Sequence, residues 1–144
     1  RAPIAMGFRF CVAAWACLVV LALPSAHGGS SDVVILDADN FASTTKDGIW
    51  FVNFFAPWCG HCKRVAPVWE KVATALKESG VRVGKIDADG EAEVAEQYAI
   101  QAYPTFKILD GGKVTDYKGQ LQLEVFLKFA REYVEKKAKQ GGGK

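Results

Sequence analysis

Cysteine is scarce in this chain, and it is confined to two places. Cys11 and Cys17 lie within the first 28 residues, and only Cys59 and Cys62 lie beyond them. A chain left with one pair has no disulfide framework. A second Cys-x-x-Cys is absent and His61 is the one histidine after residue 28, so a structural zinc site, which takes four ligands, is excluded. No metal and no other cofactor is expected. Long hydrophobic runs are lacking too. The uncharged apolar stretch Cys11 to Leu23 has 13 residues, short of the roughly 20 that cross a bilayer, so no membrane association is expected after this stretch is removed. Acidic residues are missing from the first 28 positions, and the remainder holds 16 basic and 16 acidic side chains, interspersed. A net charge of zero without a basic stripe excludes nucleic acid as a partner. Internal repeats are absent as well.

What is present fits one compact domain. Half of the 144 residues are hydrophobic and 24% are charged, which argues against disorder. Residues 1–28 read as an N-terminal extension and a secretory signal peptide. Met6-Gly7-Phe8-Arg9-Phe10 is a short positive start, the 13-residue apolar run follows, and Ser25, Ala26, Gly28 and Gly29 supply small residues for cleavage after Ala26 or Gly28. Residues 1–5 precede the first Met and read as upstream sequence. The expected domain is then 29–144, and the expected compartment is oxidising.

Along that domain, strand and helix signals alternate. Val33 to Leu36 is a short apolar strand, and Asp39-Asn40 is expected to cap a brief helix around Phe41 to Thr45. Ile49 to Phe55 is apolar on both faces except at Asn53, the pattern of a central strand covered on both sides. Val65, Val68, Trp69, Val72 and Leu76 keep helical spacing, with Pro67 expected to kink the helix early. Val81 to Ile86 is a strand, and a third helix capped by Asp89 or Gly90 runs through Tyr98. Thr105 to Leu109 and Val114 to Tyr117 form a hairpin across Asp110-Gly111-Gly112-Lys113. Leu123, Phe126, Leu127, Ala130 and Val134 mark a last amphipathic helix, whose basic tail from Lys136 to Lys144 is expected to fray.

Trp58-Cys59-Gly60-His61-Cys62-Lys63 carries the chemistry. Two thiols separated by two residues at a helix start interconvert between dithiol and disulfide. The attacking species is the thiolate, and a helix N-terminus with nearby cations lowers a cysteine pKa from about 8.5 into the range of roughly 3.5 to 7.5. His61 and Lys63 stand where they help. The alternative, an inert structural disulfide, explains the pair less well, because so small a loop removes little unfolded-chain entropy.

From about Ser31 to Val134 the chain resembles the catalytic thioredoxin-fold domain of protein disulfide isomerases. The resemblance rests on Ala56-Pro57-Trp58-Cys59-Gly60-His61-Cys62-Lys63 and on Tyr103-Pro104-Thr105. It implies an α/β thioredoxin fold, a central mixed β-sheet flanked by helices on both faces. It also implies a cis bond before Pro104 beside the cysteines, with the backbone just before it pairing with substrate. Cys59 becomes the exposed nucleophile and Cys62 the buried resolving thiol. Gly60, His61 and Lys63 tune the couple, and Trp58, Ala102, Tyr103 and Pro104 form an apolar rim for substrate. A histidine at 61 favours the reduced state, which points to oxidation or shuffling rather than reduction. Reference couples sit near −180 mV for protein disulfide isomerase and about −270 mV for thioredoxin, a gap of roughly 4 kcal/mol for two electrons.

Two positions depart from the family pattern. Six residues before the first cysteine the family carries a buried Glu or Asp that relays the resolving cysteine's proton, and here stands Asn53. An amide cannot accept that proton. Lys85 occupies the position of the lysine that faces the acid, and it is expected to be a buried amine without its carboxylate, one that snorkels or loses its proton. The arginine of the family's Tyr-x-Gly-x-Arg loop is replaced by Leu121 in Tyr117-Lys118-Gly119-Gln120-Leu121. Both losses bear on deprotonation of Cys62. Either mixed disulfides on Cys59 persist, or water carries the proton and the rate is little changed.

The expected function is a thiol-disulfide oxidoreductase, oxidase or isomerase, acting through the Cys59–Cys62 couple in the endoplasmic reticulum lumen or secretory pathway. Its expected partners are unfolded or misoxidised secretory proteins and an upstream thiol oxidant or glutathione, and it is expected to be a monomer. Secretion stays open, since Gln140-Gly141-Gly142-Gly143-Lys144 is no retrieval signal. A redox-dependent client-binding chaperone and a thioredoxin-type reductase are the alternatives.

Overall fold

The apolar runs and amphipathic stretches fold in the order β1 (Val34–Leu36), α1 (Ala38–Thr45), β2 (Ile49–Phe55), α2 (Gly60–Leu76), β3 (Val81–Asp87), α3 (Ala92–Gln97), β4 (Thr105–Asp110), β5 (Lys113–Asp116) and α4 (Leu123–Gly141). This computed structural model describes residues 31–141. The signal-peptide segment with Cys11 and Cys17, and the last three residues, lie outside the described residues.

The strands make one five-stranded mixed sheet in the order β1-β3-β2-β4-β5. β2 lies parallel to β3 and antiparallel to β4. Its seven residues alternate between two buried faces. Ile49 and Phe51 join Val65, Trp69, Val72 and Leu76 of α2 and Phe126 and Ala130 of α4 in one core. Trp50, Val52 and Phe54 join Phe41 of α1, Val94 of α3 and Leu109 in the other. Helices therefore cover both faces, as the apolar pattern of Ile49 to Phe55 predicts. Each large side chain fully buried this way contributes about 1.5–3 kcal/mol. Asn53 shares the face of Ile49 and Phe51, and so it points toward α2.

Several strand ends shift by one residue from the sequence-based expectation, and the helix ends differ more. The N-cap of α1 is Asp37, not Asp39 or Asn40. Asp37 is extended (φ −137°, ψ 175°), and its carboxylate accepts from the Asn40 N–H while the Asn40 side chain accepts from the Asp37 N–H. This reciprocal box satisfies two orphan donors at once. Neither Asp89 nor Gly90 caps α3, because the Asp87 carboxylate takes both of their backbone N–H groups in a turn and the helix starts only after Glu91. α4 continues as helix to Gly141, past Lys136. The hairpin follows expectation: Gly111 (φ 55°) and Gly112 (φ 91°) take the two left-handed positions that a tight two-residue β-turn requires.

Candidate active site

The Phe55 end of β2 delivers the chain to Cys59, which is the N-cap of α2. Its Sγ accepts the Cys62 N–H at 3.1 Å, and its carbonyl accepts the Lys63 N–H at 3.1 Å. The side chain thus stands where the unpaired N–H groups of the helix start converge, which favours a developing thiolate. Cys59 and Cys62 form a disulfide, with Cα atoms 5.3 Å apart. The expected contrast between an exposed Cys59 and a buried Cys62 is absent in this state, since they are 7% and 5% exposed. Ala56, Phe55 and Tyr103 pack around both, and the bond holds each sulfur against the other.

Tyr103 and Pro104 lie beside the cysteines, joined by a cis peptide bond. The Tyr103 carbonyl oxygen sits 3.6 Å from Cys59 Sγ. In the disulfide this is a contact only; in the dithiol an S–H at Cys59 has an acceptor there. Trp58 is 65% exposed. It is held rather than free: its indole N–H donates to Asp89 Oδ2 at 2.9 Å, and its ring meets Tyr103 edge-on with centroids 5.8 Å apart. The Tyr103 hydroxyl in turn donates to the Ala88 carbonyl. Ala102 is exposed and Pro104 half-buried; of the four residues expected to form a rim, Trp58 and Tyr103 are in contact, and Ala102 and Pro104 flank Tyr103 in the chain. Gly60, His61 and Lys63 occupy the exposed first turn of α2. A Cβ at Gly60 would meet nothing within 4 Å, so sterics leave that position open.

Beneath Cys62 the arrangement departs from expectation. Asn53 is buried, and its Oδ1 has no hydrogen-bond partner. It lines a cavity of about 80 Å³ together with Phe55, Cys62, Ala66, Trp69, Glu70 and Lys85. Lys85 is not an amine without a carboxylate. It stands opposite Asn53 in register on β3, but its stem reaches the cavity edge, where Nζ lies 3.4 Å from Glu70 Oε1. The stem carries the amine outward, so that it has both water and a counter-ion at the cavity edge. The Ser31 hydroxyl donates to the other Glu70 oxygen.

Leu121 is 39% exposed in the loop before α4. There the Tyr117 hydroxyl donates to the Gln120 carbonyl, and a Cβ on Gly119 would meet that hydroxyl oxygen at 2.5 Å, so the turn needs glycine at this place. A separate cavity of about 510 Å³ is lined by Asp110, Lys113, Tyr133 and Lys137 among others and shares no residue with the cysteine site. Nor do any three His, Cys, Asp or Glu of the described residues gather to hold a metal ion.

Sequence reasoning missed Glu70 and Asp89. The first was legible in principle: Cys62, Ala66, Trp69 and Glu70 follow i, i+4, i+7, i+8 spacing and so share one stripe of α2. Asp89 carried no such signal, because its contact with Trp58 spans 31 residues of chain.

Comparisons with known proteins agree with this geometry. The sequence profile described as Thioredoxin matches residues 32–132. Protein disulfide-isomerase A6 of Mus musculus is 43% identical over 107 residues, which cover 72% of this chain and 24% of that protein. Protein disulfide-isomerase 2-3 of Arabidopsis thaliana is 43% identical over 111 residues, covering 75% of this chain and 25% of that protein. The chain therefore spans about a quarter of these relatives. Among solved structures, the first thioredoxin domain of mouse protein disulfide-isomerase A4 superposes with a TM-score of 0.68 at 37% identity, covering 73% of this chain and 77% of that one.

Proposed function

We propose, on the premise that this chain belongs to the thioredoxin family and counts protein disulfide isomerases among its relatives, that it is a thiol-disulfide oxidoreductase forming or shuffling disulfides in proteins of the secretory pathway. The observation that carries the reading is the Cys59–Cys62 disulfide at the start of α2, with Cys62 N–H donating to Cys59 Sγ and an apolar rim beside it.

As an oxidase, the disulfide accepts a substrate thiolate at Cys59 Sγ, and the electron pair of the broken S–S bond passes to Cys62. A second substrate thiolate then attacks the substrate sulfur, and Cys59 leaves as a thiolate that the helix start stabilises. As an isomerase, reduced Cys59 attacks a wrong bridge, and Cys62 frees the enzyme when the substrate fails to rearrange. Gly60, His61 and Lys63 tune the couple from the exposed turn, and Trp58, Ala102, Tyr103 and Pro104 hold the client segment. Unfolded or misoxidised secretory proteins are the clients, and an upstream thiol oxidant or glutathione resets the couple. The signal-peptide reading of residues 1–28 supports the endoplasmic reticulum or a later secretory compartment.

Refolding of a scrambled disulfide protein tests this reading. Activity is expected from the parent and absent from Cys59→Ser, and parent material that neither forms nor shuffles bridges would overturn the proposal. A measured potential near that of the thioredoxin couple would instead favour a reductase. The exposed indole of Trp58 favours a second reading, a redox-dependent client binder. Suppression of aggregation that survives Cys59→Ser, without refolding by the parent, would select it.

A further inference from the structure

The cavity beside β5 exists because one element outruns another. β5 is an edge strand of four residues, whereas α4 runs for 19, and its basic end, expected to fray, is helical as far as Gly141. Phe129, Tyr133, Lys136 and Lys137 fall on one stripe of that helix, at i, i+4, i+7 and i+8. Lys113 and Thr115, two residues apart, share one face of β5. Together they line about 510 Å³, inside the roughly 300–1,000 Å³ usual for small-molecule sites.

The charges around this cavity do not cancel. Asp110 has a side chain 13% exposed and is engaged at both oxygens: Oδ2 accepts the Tyr133 hydroxyl at 3.2 Å and Oδ1 the Lys137 ammonium at 2.5 Å. Glu132 stands 3.9 Å from Lys128 on its own helix. Lys113 and Lys136 are exposed, and among the described residues neither has a carboxylate oxygen within 4.0 Å. Lys113 lies instead over the Tyr133 ring, with Nζ 5.7 Å from its centroid. Lys136 follows Tyr133 by three residues, a neighbouring place on the helix surface. Two ammonium groups without a carboxylate therefore bracket one aromatic ring, and half-buried Phe129 continues that apolar floor.

We propose that this cavity binds a small amphipathic anion, with an aromatic body against Phe129 and Tyr133 and an acidic group held by Lys113 and Lys136. A neutral apolar ligand would leave both ammonium groups with water alone, and a bare inorganic anion would leave the rings uncovered. A ligand with both halves meets a partner for each. The inference goes beyond the proposed function. The cavity shares no residue with the cysteine pair, so the site is the same whether Cys59 and Cys62 are bonded or reduced.

Naphthalene-2-sulfonate is a probe with this chemistry. Titrated into the chain at low salt and followed by backbone amide NMR, it is expected to bind saturably and to shift residues 113–115 and 129–140. Lys113→Gln combined with Lys136→Gln should weaken binding about 2- to 30-fold, the loss of two exposed charge contacts of ordinary strength. The unchanged remainder of the spectrum reports that this variant is folded. Lys71→Gln with Lys118→Gln, an equal loss of charge at residues that do not line the cavity, should bind as the parent does. The uncharged naphthalen-2-ol should bind the parent more weakly and should not distinguish it from Lys113→Gln/Lys136→Gln. That pattern in both redox states supports the inference. Shifts at Trp58 and Tyr103 instead, a lack of saturation, or equal affinity for the sulfonate in Lys113→Gln/Lys136→Gln overturns it and leaves the proposed thiol chemistry standing.

Discussion

Asn53 on β2 and Lys85 on β3 are register partners, yet their side chains do not pair: Lys85 turns to Glu70 of α2, and the buried Asn53 oxygen is left without a hydrogen-bond partner among the described residues. A buried acceptor left without a donor costs about 1–3 kcal/mol. Asn53→Leu removes it and should leave the folded chain at least as stable as the parent in a urea titration. A loss above about 1 kcal/mol would show that the amide is satisfied in solution.

The central strand and the cysteine motif were legible in the sequence because each is local, whereas the rim, which joins Trp58 to Tyr103 across 45 residues, was read only through the family resemblance. Ile49 to Phe55 announces a strand buried on both faces by its unbroken apolar run, and Cys59 to Lys63 announces its chemistry by spacing alone. The Asp37 cap was misplaced by two or three residues because Asp37, Asp39 and Asn40 all carry capping side chains, and only the backbone turn after Leu36 selects among them. Asn53 was visible as a departure from pattern, but its consequence was not. Whether Lys85 lacks a counter-ion depends on how far a flexible stem reaches across to α2, and no one-dimensional pattern encodes that reach. The near-equal burial of Cys59 and Cys62 likewise belongs to the oxidised packing around Tyr103.

Ala99, just past α3, sits at φ 51°, and its N–H and that of Ile100 close back on the Glu96 and Ala95 carbonyls. A left-handed alanine costs about 1–2 kcal/mol. Ala99→Gly removes that strain, but it returns about 0.5–1 kcal/mol through the greater freedom of glycine in the unfolded chain. The expected result is a net gain of about 0.5 kcal/mol, seen in a thermal melt as a rise of roughly 2–4 °C. An unchanged or lower midpoint would mean that the turn carries no such strain.

Lys107 is buried in β4 and reaches out to Asp116 of β5, with Nζ 2.6 Å from Oδ1. The hydrogen bond from Lys107 holds the Asp116 carboxyl below its ordinary value of 3.8. Because the folded-state pKa is depressed, the pair stabilises the fold above the unfolded value, and that contribution is lost as pH falls through the lower folded one. Asp116 is half exposed, so solvent screening keeps the term small. Asp116→Asn should cost about 1 kcal/mol or less at neutral pH. Urea titrations across pH should show the difference shrinking below about pH 3.8, where the parent carboxylate is also protonated. A deficit that stays constant into acid would assign the effect to packing instead.

Asp89 holds the exposed indole of Trp58, so the proposed capture of client segments should depend on that hold. The indole N–H bond to Asp89 Oδ2 ties the loop before α2 to the turn after β3, and the edge-on contact with Tyr103 ties both to the Pro104 loop. Trp58→Phe keeps an aromatic ring and removes the donor; Asp89→Ala keeps the ring and removes the acceptor. Each change should weaken capture of an apolar thiol peptide by about 0.5–1.5 kcal/mol, the usual net worth of one hydrogen bond, or roughly 2- to 13-fold. The double variant should lose no more than either single one, because both delete the same tie. Reaction of Cys59 with a small alkylating agent, which needs no rim, should be the same in all four proteins. Additive losses in peptide capture, or equal losses toward the small reagent, would show that Asp89 acts on the cysteine and not on the indole.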